Sequence, residues 1–261
     1  MTDENINRLF KISELSTEQL ASICDHTFLE RPESYKKQGV NSSIARRNDF
    51  TKFFDDMIKI NLMPYSVCVR PEDVSHAKKI LLKNNRNNIR IASVVGFPDG
   101  SWCDTSLKVA ETKLAIRNGA SEIDMVLDVA KFKNNKLKAA ERDIKKVLLT
   151  AHSKKAIVKL IFETSELSDE EIMKACVMAE KLGVDFVKTS TGFSSNGAMP
   201  EHLKIMRKYF SRGVKMSGGV GKERVNELLL AASGRDDGMI ELDPLKIRIG
   251  ESKLFIEAGK Y

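Results

Sequence analysis

Eight short β-rich stretches recur along this chain, each separated from the next by a segment with helical periodicity. That alternation restricts the fold more than any other feature of the sequence. The stretches are SICDHTF, YSVCVR, IRIASVVGF, SEIDMVLD, AIVKLIFE, DFVKTS, GVKMSG and KIRIG. Parallel neighbours in a sheet need a long crossover, which an intervening helix supplies. Eight such units in a chain of 261 residues match the count and size of one α/β domain, a (β/α)8 TIM barrel. The runner-up is an open doubly wound sheet, but no G-x-G-x-x-G follows the first strand. The barrel is assigned to residues 22–261, preceded by a short N-terminal helical extension over residues 1–21.

The clearest helix starts at Ser168. Ser168 and Glu171 have capping-box spacing, and Ile172, Ala175, Cys176, Ala179 and Leu182 share one helical face before Gly183 stops it. An earlier helix is expected to present Leu107, Ala110 and Leu114 on one face, with Gly119 closing it. Between the first two strands, NDFTKFFDDMIKI supplies the helix. The preceding basic excursion, residues 31–47, reads as a surface loop or extra turn without an assigned function.

Composition narrows the function class. Hydrophobic residues at 42% and charged residues at 30% suit a folded chain, and no apolar run approaches membrane-spanning length. The polar start lacks the apolar core of a secretory signal. Cys24, Cys68, Cys103 and Cys176 are scattered without C-x-x-C spacing, and the four histidines stand apart. A disulfide framework and a metal site are therefore not expected, and a reducing cytoplasm fits. The net charge of +7 is spread over many lysines with few interleaved aromatics, so nucleic acid is not an expected partner.

Strand side chains alternate between faces. In SEIDMVLD, Glu122, Asp124, Val126 and Asp128 oppose Ile123, Met125 and Leu127. Lys159 and Lys215 likewise sit between apolar neighbours, and Lys188 lies between Val187 and Thr189. If those neighbours face the helices, Asp124 and the three lysines point into the barrel, which is normally filled by branched apolar side chains. A satisfied ion pair would explain any one lysine. Several charges together are a costly way to build a core, so the set points to chemistry.

A lysine beside a second cation has its ammonium form disfavoured, and the neutral amine can then attack a carbonyl carbon. Lys188 and Lys215 lie on successive strands, and Asp124 can accept or relay a proton. This is the equipment of a Schiff-base aldolase. Two glycine turns add a phosphate signal: SGGVGKE, expected to lead into a helix whose first turn holds Lys222, and RIGESKL, where Gly250 and Ser252 open a short helix. Backbone N–H groups at helix starts bind anions, and barrels commonly place a phosphate after strands seven and eight.

Together DFVKTSTGF, GVKMSGGV, SEIDMVLD, VVGFPDG and RIGESKL resemble the deoxyribose-phosphate aldolase family. The resemblance implies a (β/α)8 barrel that needs no metal or other cofactor. It implies cleavage of 2-deoxy-D-ribose 5-phosphate to D-glyceraldehyde 3-phosphate and acetaldehyde in deoxynucleoside catabolism. It makes Lys188 the Schiff-base nucleophile, Lys215 the lysine that perturbs it and Asp124 the acid/base. Lys159 would orient Asp124. Asp25 matches an acidic residue at the end of the first strand, where turn capping explains it equally well. Thr191, Gly192, Gly218, Gly219, Gly250 and Ser252 would form the phosphate pocket, and a homo-oligomer, dimer or tetramer, is implied.

Three departures stand out. Gly221 occupies a position where the family often has arginine, which Lys222 would replace, and Glu251 stands among usually small residues and is expected to point away from the phosphate. The C-terminal Tyr261 belongs to a short tail. The alternatives are a Schiff-base aldolase for another aldehyde and a non-catalytic barrel homologue.

Overall fold

The computed structural model describes residues 8–38 and 41–255. Tyr261 lies outside the described residues. Eight parallel strands close into a barrel: β2 (Cys24–Thr27), β3 (Ser66–Val69), β4 (Arg90–Val95), β5 (Glu122–Val126), β6 (Ile157–Ile161), β7 (Phe186–Lys188), β8 (Gly213–Ser217) and β10 (Ile247–Glu251). The strand order is β10-β2-β3-β4-β5-β6-β7-β8, with all eight stretches found as the alternation predicts. No helix among the described residues is long and apolar enough to cross a membrane.

The N-terminal segment is not purely helical. Before α1 (Thr17–Ala21), residues Leu9–Lys11 form strand β1, which pairs antiparallel with β9 (Met239–Glu241). Because β9 leads into β10, this ribbon lies where the barrel strands begin. Three-residue strands carry too little apolar alternation to be read from sequence.

Two apolar layers lie on opposite faces of the strands. Ile123, Met125, Val158, Leu160, Val187, Val214, Met216, Ile247 and Ile249 join the large core between barrel and helices. Inside the barrel, a smaller cluster of Cys68, Ala92, Val94, Val126 and Ile161 packs with Leu29 and Phe97. The inward Phe186 ring fills the space beside Gly213 on the neighbouring strand. A Cβ at Gly213 would lie 2.3 Å from the ring.

Helix α7 (Asp169–Leu182) begins with both halves of the expected capping box at Ser168 and Glu171 and ends at Gly183 with φ 78°. Such a cap contributes about 1 kcal/mol. Helix α4 (Thr105–Asn118) also ends at its expected glycine, Gly119, with φ 116°, but its buried face differs. Lys108, Thr112 and Ala115 are buried, whereas Leu107 and Ala110 are exposed. The reason is electrostatic: Lys108 reaches Asp143 on α6 (Leu137–His152) and the Val126 carbonyl, each at 3.5 Å. Burial lowers the Lys108 pKa against that partner.

The basic excursion over residues 31–47 also resolves differently. Pro32–Gln38 form a 3-10 helix, and Ser42–Arg47 are the opening turns of α2 (Ser42–Lys59), capped by the Asn41 side chain. Phe50, Phe53, Phe54 and Met57 follow the i, i+3, i+4, i+7 stripe into the core.

Candidate active site

The inward polar residues meet in one buried ion network. Parallel register aligns Asp124 with Lys159, Lys188 with Lys215, and Lys215 with Arg248. Lys188 Nζ donates to Asp124 Oδ2 at 3.0 Å, and Lys215 Nζ donates to the same oxygen at 2.9 Å. Lys159 Nζ reaches Asp124 at 2.8 Å, Glu122 at 2.5 Å and Asp25 at 3.2 Å. Lys215 also donates to Asp25 at 2.5 Å. Arg248 pairs with both Asp25 and Glu122 beneath them, its guanidinium 3.8 Å from the centroid of the Tyr65 ring.

Within this network three carboxylates, Asp25, Glu122 and Asp124, face four cations, Lys159, Lys188, Lys215 and Arg248. One positive charge is in excess. Lys188 is the member to lose it, because among the described residues it alone of the four has a single carboxylate partner. Burial, and then the Lys215 charge, lower the Lys188 pKa, and Asp124 opposes this only in part. Burial also works against the Lys215 ammonium, but Asp124 and Asp25 outweigh it and hold Lys215 above the ordinary lysine value. Lys159 is raised in the same way by Asp124, Asp25 and Glu122. Asp124 resists burial and stays below the ordinary carboxylate range because Lys159, Lys215 and Lys188 surround it.

Asp124 therefore bridges the two lysines, yet Lys215 still acts on Lys188. The carboxylate is shared among three cations and cannot neutralise both amines. With Lys188 as a neutral amine the network is balanced; with Lys188 protonated it is not.

Asp25 is no turn cap. It is fully buried, takes Lys215 and Arg248, and accepts the Ser66 hydroxyl at 2.7 Å. Asp128 leaves the inward set and caps α5 (Val129–Lys133), accepting the Lys131 amide at 2.8 Å.

The expected phosphate residues divide. Gly192 and Gly218 have φ of 85° and 84° and nearly touch: a Cβ on Gly218 would lie 3.6 Å from Gly192 Cα and 2.8 Å from Gly197 Cα. Only glycine permits both this conformation and this approach. Gly219 follows with φ 65°. Gly250 passes close over the network, where a Cβ would stand 2.7 Å from Lys215 Cε. Ser252 lies exposed in the bends and turn that run to Phe255, so the expected helix does not open at Gly250 or Ser252 among the described residues.

Thr191 does not join this group. Its hydroxyl donates to Glu163 Oε2 at 2.5 Å and its amide to the same carboxylate at 3.2 Å, so its donors are already engaged. Glu163 also accepts the Ser194 hydroxyl at 2.9 Å. A cleft of about 490 Å³ opens on this side, lined by Val126, Glu163, Thr191 and Phe193, but by neither Lys188 nor Gly218.

Lys222 also differs from expectation. It is exposed in the turn before α9 (Val225–Ser233) rather than in the helix. A cation does stand beside the glycine turn: Arg224, whose Nη1 would lie 3.6 Å from a Cβ at Gly219. Its Nη2 donates to the Ala198 carbonyl at 2.9 Å, which aims the guanidinium.

Comparison with known proteins agrees with the site. The profile of the DeoC/LacD family of aldolases matches residues 22–241. The chain is 40% identical over 208 residues to the deoxyribose-phosphate aldolase of Clostridium perfringens strain SM101, covering 79% of this chain and 84% of that protein. It superimposes on the crystal structure of a candidate deoxyribose-phosphate aldolase from Coccidioides immitis with a TM-score of 0.71 and 31% identity, over 91% of this chain and 83% of that one. The fold also matches the deoxyribose phosphate aldolase of Aeropyrum pernix, described as a tetramer, with a TM-score of 0.67 and 24% identity over 93% and 91% of the two chains.

Proposed function

The chain belongs to the DeoC/LacD family of aldolases, and we propose that it cleaves 2-deoxy-D-ribose 5-phosphate to D-glyceraldehyde 3-phosphate and acetaldehyde through a Schiff base on Lys188. The observation that carries this reading is the buried Lys188 amine. It has one carboxylate partner, in a network that reaches neutrality only when Lys188 is uncharged.

The neutral Lys188 amine adds to C1 of the open-chain sugar phosphate, and the adduct takes up one proton from solvent and loses water, forming an iminium. Asp124, directly or through water, takes the C3 hydroxyl proton. The C3 oxygen becomes the aldehyde oxygen of glyceraldehyde 3-phosphate as the C2–C3 electron pair moves into the iminium, leaving an enamine. Because Lys159 and Lys215 keep Asp124 ionised, its part is to pass that proton on rather than retain it. The proton is delivered to C2, and water then releases acetaldehyde and free Lys188. Lys159 and Asp25 hold Asp124 and Lys215 in place. Asp124→Asn is expected to lower the cleavage rate by roughly 10²- to 10⁴-fold, the span of one positioned proton transfer, in steady-state assays.

The amides at Gly192, Gly218, Gly219 and Gly250–Ser252 are proposed to hold the phosphate, with Arg224 as the nearby cation. Arg224→Met is expected to raise KM for the sugar phosphate roughly 10- to 100-fold, as for a lost charged hydrogen bond. Lys222→Met should change it little, and the reverse ranking would remove the role given to Arg224.

Borohydride trapping tests the whole reading. Incubation with the sugar phosphate, reduction and peptide mass mapping should place the adduct on Lys188. No adduct with either the sugar phosphate or acetaldehyde would reject it. An acetaldehyde adduct without sugar-phosphate cleavage would favour an aldolase for another aldehyde. We further propose a homo-oligomer, as in the tetrameric Aeropyrum pernix relative, and a cytoplasmic setting, with all four cysteines as free thiols. Light scattering tests the first of these.

A further inference from the structure

The chain leaving β10 carries different tasks on alternate residues. Arg248 and Gly250 face the ion network. Glu251 faces the other way and is buried, so its carboxylate does point away from the phosphate turn. Its Oε1 accepts from His26 Nδ1 at 2.8 Å and lies 3.6 Å from Cys24 Sγ, while its Oε2 accepts the Leu254 amide at 2.5 Å. His26 is itself fully buried, with its ring stacked on Phe53 of α2 at 4.2 Å between centroids. Its Nε2 is buried without a hydrogen-bond partner among the described residues.

A carboxylate and an imidazole taken out of water, with one ring nitrogen unsatisfied, lower stability unless they secure something else. Here they secure the turn. One carboxylate ties strand β2, through His26, to the amide of Leu254, whose side chain is buried. The intervening residues 252 and 253 are exposed, without such an anchor among the described residues. Register pairs Glu251 with His26 and Gly250 with Asp25, so the same two strands hold the network on one face and the turn on the other.

We propose that the His26–Glu251 pair positions the Gly250–Ser252 amides for the substrate phosphate, so that preference for a phosphorylated sugar depends on two side chains that never touch it. The inference rests on the phosphate-binding reading of this turn. It also accounts for a buried glutamate where small residues are usual: Glu251 braces the turn from behind rather than meeting the ligand.

The test compares cleavage of 2-deoxyribose 5-phosphate and of unphosphorylated 2-deoxyribose by the parent protein and by Glu251→Ala, Glu251→Gln and His26→Phe. A parent protein without activity on the sugar phosphate would overturn the underlying reading, and this inference with it. With parental activity present, Glu251→Ala is expected to raise KM for the sugar phosphate roughly tenfold, the loss of about one charged hydrogen bond. Activity on 2-deoxyribose should be unchanged. Glu251→Gln, which still accepts from the Leu254 amide, should restore most of the preference. Equal losses on both sugars would mean general damage, and an unchanged KM in a folded variant would mean no positioning; either result overturns the inference. If Glu251→Ala does not fold, His26→Phe decides, because it leaves the carboxylate and a ring to stack on Phe53 but removes the Nδ1 donor. A severalfold loss of phosphate preference supports the pair, and the parental ratio rejects it.

Discussion

Lys188→Met should yield a folded protein with no borohydride-trapped adduct and with sugar-phosphate cleavage reduced by roughly 10⁴-fold or more, as expected when a covalent nucleophile is lost. The substitution removes the one cation in excess. Asp25, Glu122 and Asp124 then face Lys159, Lys215 and Arg248, and a methionine of similar length fills the space. Replacing a poorly compensated buried charge by an apolar side chain is often neutral or stabilising. Thermal unfolding should therefore occur at or above the parental midpoint. An adduct on another lysine would show that the nucleophile had been misassigned, whatever the remaining activity.

Lys215→Met should act on Lys188 without touching the sugar. Removing the Lys215 charge leaves three carboxylates facing Lys159, Arg248 and Lys188. Protonated Lys188 then completes the balance instead of exceeding it. Its pKa, lowered in the parent first by burial and next by Lys215, should rise. For a base whose pKa rises, the reactive neutral fraction falls at every pH below the new value, by tenfold for each unit of rise. The alkaline-rising limb of the pH–rate profile should move to higher pH, with a loss of roughly 10²-fold or more near pH 7. Part of that loss should be recovered on raising the pH, which simple misfolding would not give. Lys215→Arg, which keeps the charge, should retain more of the parental profile. A profile with an unmoved limb would separate Lys215 from the tuning of Lys188.

Much of this was legible in the sequence because barrel strands obey a strict two-residue period. Asp124, Lys159 and Lys215 each sit between apolar neighbours and Lys188 follows Val187, so their shared inward direction follows from parity alone. Arg248 obeys the same rule between Ile247 and Ile249, but a lone arginine in a five-residue stretch does not announce carboxylate partners on other strands. Glu122 was placed on the inward face, but nothing local distinguished it from Asp128, which sits past the strand end and caps a helix instead.

The misses share a physical cause: they depend on partners far away in the chain. Glu163 takes the donors of Thr191 across 28 residues, and His26 meets Glu251 across 225. Lys108 displaces the expected leucine face of α4 because Asp143 waits on another helix. The cation beside Gly219 is Arg224 because the chain turns at Gly221 before α9 begins. Periodicity reports which way a side chain points; it does not report what stands opposite.

Each strand thus presents alternate residues to two separate worlds, a dry layer under the helices and a reactive lumen. Substitutions at Ile123, Val158 or Val214 can alter how firmly the scaffold holds without rewiring Asp124, Lys159 or Lys215 one position away. A lineage built this way can adapt to a hotter or colder habitat and revise its chemistry along independent tracks, with neither change waiting on the other.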